Sequence, residues 1–427
     1  MPQTDGAAGN SAMWNPFANM AALAGHAVQI VRGDGATVYD SDGRPYLDAL
    51  ASLWYCNVGH GRVELGDAAA IQMHQLACYQ TYEVFSNPPA EALAERVAGL
   101  VPIAGAKVFL TPGGGSDAVD TAAKLSRAYW RAVGQPAKQV IIGRSHAYHG
   151  VNAYGTSLGG ISVNTEPFGP LVTLVEHVPW DDAAALAKMI DQLGPDRVGA
   201  FICEPVVGAG GVYFPPEGYL ADVRQICRDA DVLFIADEVI TGFGRTGSWF
   251  GSQRYGIEPD MMTVAKGLTS GYLPLGAVIA SPRVAEPFWQ SGSAEIFRHG
   301  YTYSGHPAAC AVGLANLDII EREQLVRRVA ELEPVLAAAL APLAAHELVS
   351  EVRTGAGLLA GIEFAPAARE ADPGLGARVV AAARERGVIT RLLRGVALQV
   401  SPPFVISAEE LRQVAEVLTA ALDASAR

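Results

Sequence analysis

Four short stretches, each at the end of an apolar run, hold the residues best suited to chemistry. In Thr263-Val-Ala-Lys-Gly267, Lys266 follows an apolar run and has small neighbours. A lysine withdrawn from water sheds its charge readily and can then form a Schiff base with an aldehyde. In Ile235-Ala-Asp-Glu238, Asp237 closes a second apolar run, where a buried carboxylate needs a cation or strong donors. Glu238 beside it either faces polar surroundings or caps a turn. Residues 108–117 read VFLTPGGGSD, a strand, a triple-glycine loop and a helix start. The bare N–H groups of that loop, with the Ser116 hydroxyl, suit a phosphate. The loop lacks the Lys-Ser/Thr ending of a nucleotide P-loop, so a single phosphate monoester fits it better. The fourth stretch, AYHG at 147–150, offers an aromatic face. His146 and His149 alone would suggest a metal, but no third ligand stands at a recognisable spacing, and no metal site is expected. A phosphate cradle, an aromatic platform, a carboxylate and a lysine together meet the needs of pyridoxal phosphate.

A rival pattern lies in IADEVITGFGRTGSWFG, residues 235–251, where Gly242, Gly244 and Gly247 form G-x-G-x-x-G after an apolar run. Glu258 and Asp260 follow at a tempting distance for a ribose. A dinucleotide fingerprint requires a helix to open at the third glycine. The residues after Gly247 have no helical apolar spacing and include glycines at 251 and 256, so the nucleotide reading is weak.

These residues need a scaffold, and the chain supplies one. The 427 residues are 50% hydrophobic and 18% charged, an ordinary globular composition with room for two or three domains. A net charge of −13 disfavours a nucleic-acid or anionic-membrane partner. The five cysteines are odd in number and widely spaced, as for free thiols in a reducing cytoplasm. The start, MPQTDGAAGNSAMW, does not read as a signal peptide, and no run is long enough to span a membrane. ATVYDSDGRPYLDAL reads as a hairpin turning at Asp42-Gly43. Candidate strands are Lys107–Leu110, Gln139–Ile142, Ala200–Cys203, Val232–Ala236, Met262–Val264 and Ala277–Ala280, mostly continuous apolar runs as in a largely parallel sheet buried on both faces. Asp117–Trp130 and Tyr219–Asp229 have helical spacing, as does the long run from Ala308. Gly357–Phe364 and Val396–Val400 read as strands, Ala377–Arg386 as a helix, and Ser407 with Glu410 as a capping box. The expected fold is α/β: a large domain over 57–312 and a smaller one built from both ends, 1–56 and 313–427. In such sheets ligands bind beyond the carboxyl ends of the strands, where all four polar stretches fall.

From about Ala36 to Cys310, and more loosely to the C-terminus, the chain resembles the class III (omega) aminotransferases of fold type I, close to the amine:pyruvate and beta-alanine:pyruvate group. The stretches that carry the resemblance are SLWYCNVGHGR, AYHG, EPVVGAGGV, ADEVITGFGRTG, AKGLTSGYLPLGAV and HGYTYSGHP. The resemblance implies pyridoxal phosphate, with Lys266 as its Schiff-base lysine and Asp237 facing the ring nitrogen. Val239 and Tyr148 would cover the two ring faces, with His149 also at the cofactor. Gly115 and Ser116 would bind the phosphate, joined by Thr302 of a partner subunit. Glu204 would line the site and engage an active-site arginine. Trp54 and Tyr82 would wall the substrate pocket, and Arg391 would bind a substrate carboxylate. The implied reaction moves an amino group from an amine or omega-amino acid to a keto acid, pyruvate foremost. The implied assembly is a homodimer with shared sites, a tetramer being left open.

Departures from the family pattern are informative. The phosphate loop reads P-G-G-G-S-D-A-V-D where T-N-S-G-S-E-A-N-D is usual. After Arg391 comes Leu-Leu-Arg394 in place of the common Pro-x-Gly, so Arg394 competes for the carboxylate. The alternatives to transamination are an aminomutase or decarboxylase of the same fold, or a non-catalytic protein that only binds the cofactor.

Overall fold

The computed structural model describes residues 12–23 and 26–426, so most of the N-terminal stretch read for a signal lies outside the described residues. At its centre stands a seven-stranded sheet in the order Lys107–Thr111, Gly276–Ala280, Met261–Val264, Leu233–Asp237, Val198–Cys203, Val140–Arg144 and Val175–Val178. Only Gly276–Ala280 runs against its neighbours, as the antiparallel partner of both Lys107–Thr111 and Met261–Val264. The four inner strands between them and Val175–Val178 pair in parallel. The sheet is thus largely parallel, as the unbroken apolar runs predict. Val198–Cys203 and Leu233–Asp237 are buried at every position, which is why they show no polar alternation.

Helices cover both faces. Gly115–Ala132 starts two residues beyond the apolar loop's Gly113 and buries Ala118, Ala122 and Leu125 against one face, packed with Ile202, Ile235 and Val278. Tyr219–Asp229 and Ala183–Leu193 pack on the other, over Phe201 and Phe234. The helical run after Ala308 is two helices, Pro307–Arg322 and Leu325–Leu340, broken where Gln324 takes a φ of 51°.

The chain ends build two smaller sheets. The hairpin at Asp42-Gly43 pairs Thr37–Asp40 with Pro45–Asp48, and Val388–Ile389 joins the latter in parallel. Val349–Arg353, Ala360–Phe364, Ala397–Val400 and Leu392–Leu393 form the other. The last helix, Ala408–Ser425, opens on the expected capping box: Ser407 Oγ accepts from Glu410 N, and the Glu410 carboxylate accepts from Ser407 N. One apolar cluster runs from Leu47 through Leu93 and Met262 to Leu422, fastening the chain ends to the central sheet. No helix among the described residues is long and apolar enough to cross a membrane.

Candidate active site

Polar residues converge beyond the carboxyl ends of the parallel strands. Asp237 is the last residue of its strand, Glu204 follows Cys203, and Lys266 stands two residues past Val264. A 470 Å³ cavity opens there. Among the site residues that the family resemblance implies, all but Tyr82 and Thr302 line it, and Arg394 lines it as well. Residues far apart in the chain meet because parallel strands end on one edge of the sheet.

Asp237 is buried and fully engaged. Its Oδ2 lies 2.6 Å from His149 Nδ1, and its Oδ1 accepts from Val239 N and Thr263 Oγ1, both at 3.1 Å. A carboxylate only accepts, so the His149 proton belongs on Nδ1. His149 Nε2 is buried with no hydrogen-bond partner among the described residues. Glu204 is held by the backbone: Oε1 accepts from Tyr148 N at 3.1 Å and Oε2 from Gly208 N at 2.9 Å. Among the described residues it makes no hydrogen bond to an active-site arginine. Burial raises its pKa, opposed by His149.

Lys266 lies in the same confined space. Burial pushes its pKa down from the usual 10.5 to about 8, against the pull of Asp237 and Glu204. The turn that presents it is clamped from below: Asn316 Nδ2 donates to Gly267 O at 2.8 Å and to Leu268 O at 3.0 Å. A Cβ on Gly267 would come within 2.4 Å of Asn57 Nδ2, which leaves glycine the only side chain that fits.

The glycine loop forms a cradle. Gly114 has a φ of 103°, and the Gly115–Ala132 helix begins directly after it, with its first N–H groups free of intrahelical partners. A Cβ on Gly115 would sit 2.7 Å from Val239 Cγ1, and one on Gly150 would sit 2.5 Å from Ser116 Oγ. Ser116 Oγ accepts from Val151 N at 3.1 Å, which ties the cradle to the AYHG loop. Asp117, the departure from the family pattern, accepts from Gly113 N and from Asn152 Nδ2, so it braces the loop.

Arg391 is half-buried, with its guanidinium 5.5 Å from the centre of the Trp54 ring and no ion pair among the described residues. Burial lowers its pKa, opposed by Tyr148. Tyr82 and Thr302 lie elsewhere. Tyr82 is 42% exposed and its hydroxyl packs by Gly300, while Thr302 is exposed on the same segment. Within one chain, therefore, Tyr82 is not a wall of the cavity: the loop that carries it turns outward, toward residues 300–304.

The donor set fits pyridoxal phosphate. It combines a glycine-lined helix start, a lysine whose pKa burial lowers to about 8, a buried acid and the Val239 and Tyr148 side chains in one space. Residues 20–422 match the model of the family described as Aminotransferase class-III. The chain belongs to the class-III aminotransferases. It is 40% identical over 419 residues to the putrescine–pyruvate aminotransferase of Pseudomonas aeruginosa, covering 93% of this chain and 91% of that protein. To the beta-alanine–pyruvate aminotransferase of the same organism it is 39% identical, covering 96% and 95%. The solved amine transaminase of an uncultivated Pseudomonas species, in its PLP-bound form, superposes with a TM-score of 0.93 at 36% identity, covering 98% and 99%. The fold is thus that of the fold-type-I transferases, and this aminotransferase depends on pyridoxal phosphate.

Sequence reasoning missed part of this aminotransferase's cavity. Phe17, Leu53, Ile161 and Asn164 also line it, from loops and short helical turns too brief to show a period. The pairing of His149 with Asp237 spans 88 positions, and no spacing rule announces it.

Proposed function

We propose that this aminotransferase moves the amino group of an apolar amine or omega-amino acid to pyruvate, with Lys266 and Asp237 as its catalytic residues. The reading rests above all on Arg391: an unpaired guanidinium half-buried against Trp54, in the cavity that holds Lys266. Such a site rewards a carboxylate with two parallel hydrogen bonds, and apolar walls around it suit a neutral amine.

Bound in the cavity, pyridoxal phosphate supplies a carbonyl that condenses with amines and a ring that accepts the electron pair left by a departing proton. Lys266 Nζ, whose pKa burial lowers to about 8 so that it gives up its proton readily, would take the proton from the donor carbon that bears nitrogen and later return it to the acceptor carbon. Asp237, oriented by His149 and Thr263, would hold a proton on the ring nitrogen of the bound cofactor. Gly115, Ser116 and the helix start would hold the phosphate, and Val239 and Tyr148 would cover the ring faces. Glu204 fixes Tyr148 through its backbone N–H. Trp54 and Tyr148 exclude water on the substrate side. With the larger unit taken as residues 57–312, Lys266, Asp237 and the phosphate cradle would come from it, and Trp54 and Arg391 from the smaller one.

Tyr82 and Thr302 belong to the assembly. Both are exposed where the loop carrying Tyr82 packs against residues 300–304, which also show Tyr303; this supports a homodimer in which they complete the partner's site. The test of the function is stoichiometric. Holoenzyme given an arylalkylamine without keto acid should release one carbonyl product per site and stop, and pyruvate should then yield alanine. Continued turnover without keto acid, or carbon dioxide release, would contradict the proposal.

A further inference from the structure

Leu392–Leu393 and Ala397–Val400 are joined by a tight hairpin whose two central residues are Arg394 and Gly395. Val396 N donates to Leu393 O at 2.8 Å, and the central residues have φ of 49° and 74°. This is a two-residue turn with both central φ positive, a geometry that favours Asn, Asp or Gly in its first place. An arginine there carries backbone strain, and strain retained at the rim of an active site points to a use for the side chain. The Arg394 side chain folds back to the cavity: Nη1 donates to Gly210 O at 3.1 Å, and the residue lines the same space as Lys266 and Arg391. A backbone carbonyl leaves its charge uncompensated, and no ion pair reaches it among the described residues. Glu363, across Tyr213, is already held by Arg353 and by the Tyr213 hydroxyl. Arg391 is half-buried beside Trp54, whereas Arg394 is exposed at the mouth. The cavity therefore carries two cations at two depths.

We infer that Arg394 forms an outer anion subsite, which takes a carboxylate lying several carbons beyond the reacting carbon. Two substrate classes present one: a dicarboxylic keto acid as acceptor, and a long omega-amino acid as donor. The inference rests on Arg391 as the inner carboxylate contact.

Both classes are tested with Arg394→Gly, which also relieves the turn. In the acceptor arm, holoenzyme is given one neutral arylalkylamine with either 2-oxoglutarate or pyruvate. In the donor arm, it is given pyruvate with either 6-aminohexanoate or hexylamine. Arg394→Gly should lower the diacid-to-pyruvate ratio of kcat/KM, the aminohexanoate-to-hexylamine ratio, or both, by about tenfold through KM, as for loss of a charge-assisted hydrogen bond near solvent. The melting temperature should hold or rise, and Arg394→Lys should recover part of the ratio. The arm that responds identifies the substrate class. Unchanged ratios in both arms, equal losses for all four substrates, or a wild type that accepts neither extended acid would overturn the subsite. Arg391→Ala separates the underlying reading. If pyruvate turnover survives that change and is lost in Arg394→Gly, Arg394 is the inner contact, and the outer subsite is overturned.

Discussion

Lys266 combines two unfavourable features, a left-handed backbone with φ of 42° and an amine whose pKa burial holds at about 8. Below pH 8 the cofactor-free protein carries a desolvated charge there; between pH 8 and 10.5 the folded lysine sheds its proton while the unfolded one keeps it. The unfolded state then binds more protons, so stability relative to a neutral side chain rises with pH across that window. Lys266→Met should accordingly stabilise cofactor-free enzyme at pH 7, by an amount on the order of 3 kcal/mol that shrinks toward pH 10.5. A gap in melting temperature that ignores pH would show that the amine is not the source. Arg391 acts on the other substrate. Arg391→Ala should cost about 2–5 kcal/mol in the keto-acid half-reaction, read by single-turnover kinetics, and leave the half-reaction with a neutral arylalkylamine near normal. Equal losses in both halves would mean a structural role. These residues were legible in the sequence because each stands at the end of an apolar run or in a long motif. Phe17 and Ile161 were not, since loop residues that line a cavity look like any others.

At the scale of elements, the phosphate cradle depends on one close approach. Gly115→Ala would drive a Cβ into Val239, so the loop or Val239 must shift, with overpacking of about 1–3 kcal/mol. The measurable result should be weaker retention of the cofactor in dialysis, with the fold intact. The turn behind Lys266 depends on Asn316. Asn316→Ala would leave the Gly267 and Leu268 carbonyls without that donor in a buried site, costing about 1–3 kcal/mol and lowering the melting temperature. Six of the seven central strands were legible as continuous apolar runs. Val175–Val178 was not: it is an edge strand, and Glu176 and His177 are exposed. The helix Val63–Gln75 escaped for a related reason, because it buries only Leu65 and so presents no wide apolar stripe. The glycines of GFGRTG do other work than a nucleotide fingerprint. Gly244 packs by Phe404 and Gly247 by Ala330, where the chain ends meet the central sheet.

At the scale of the molecule, one chain leaves Tyr79, Tyr82, Phe85 and Tyr303 exposed around the segment that carries Thr302. In the proposed homodimer these rings would be covered and Thr302 would reach the partner's phosphate cradle. Sedimentation of active enzyme should show a dimer or a multiple of it, and Thr302→Ala should weaken cofactor binding without dissociating the assembly. A fully active monomer would rule out shared sites. Sequence motifs reached Thr302 only through family resemblance; no periodicity or composition says which residues face a second copy.

The central claim is that a single buried lysine, Lys266, carries both the cofactor and the proton transfer. Borohydride reduction of the holoenzyme followed by peptide mapping tests it most directly. The account predicts one pyridoxyl label, on the peptide containing Lys266, and Lys266→Ala with neither label nor turnover. Label on another lysine, or wild-type turnover in Lys266→Ala, would contradict it.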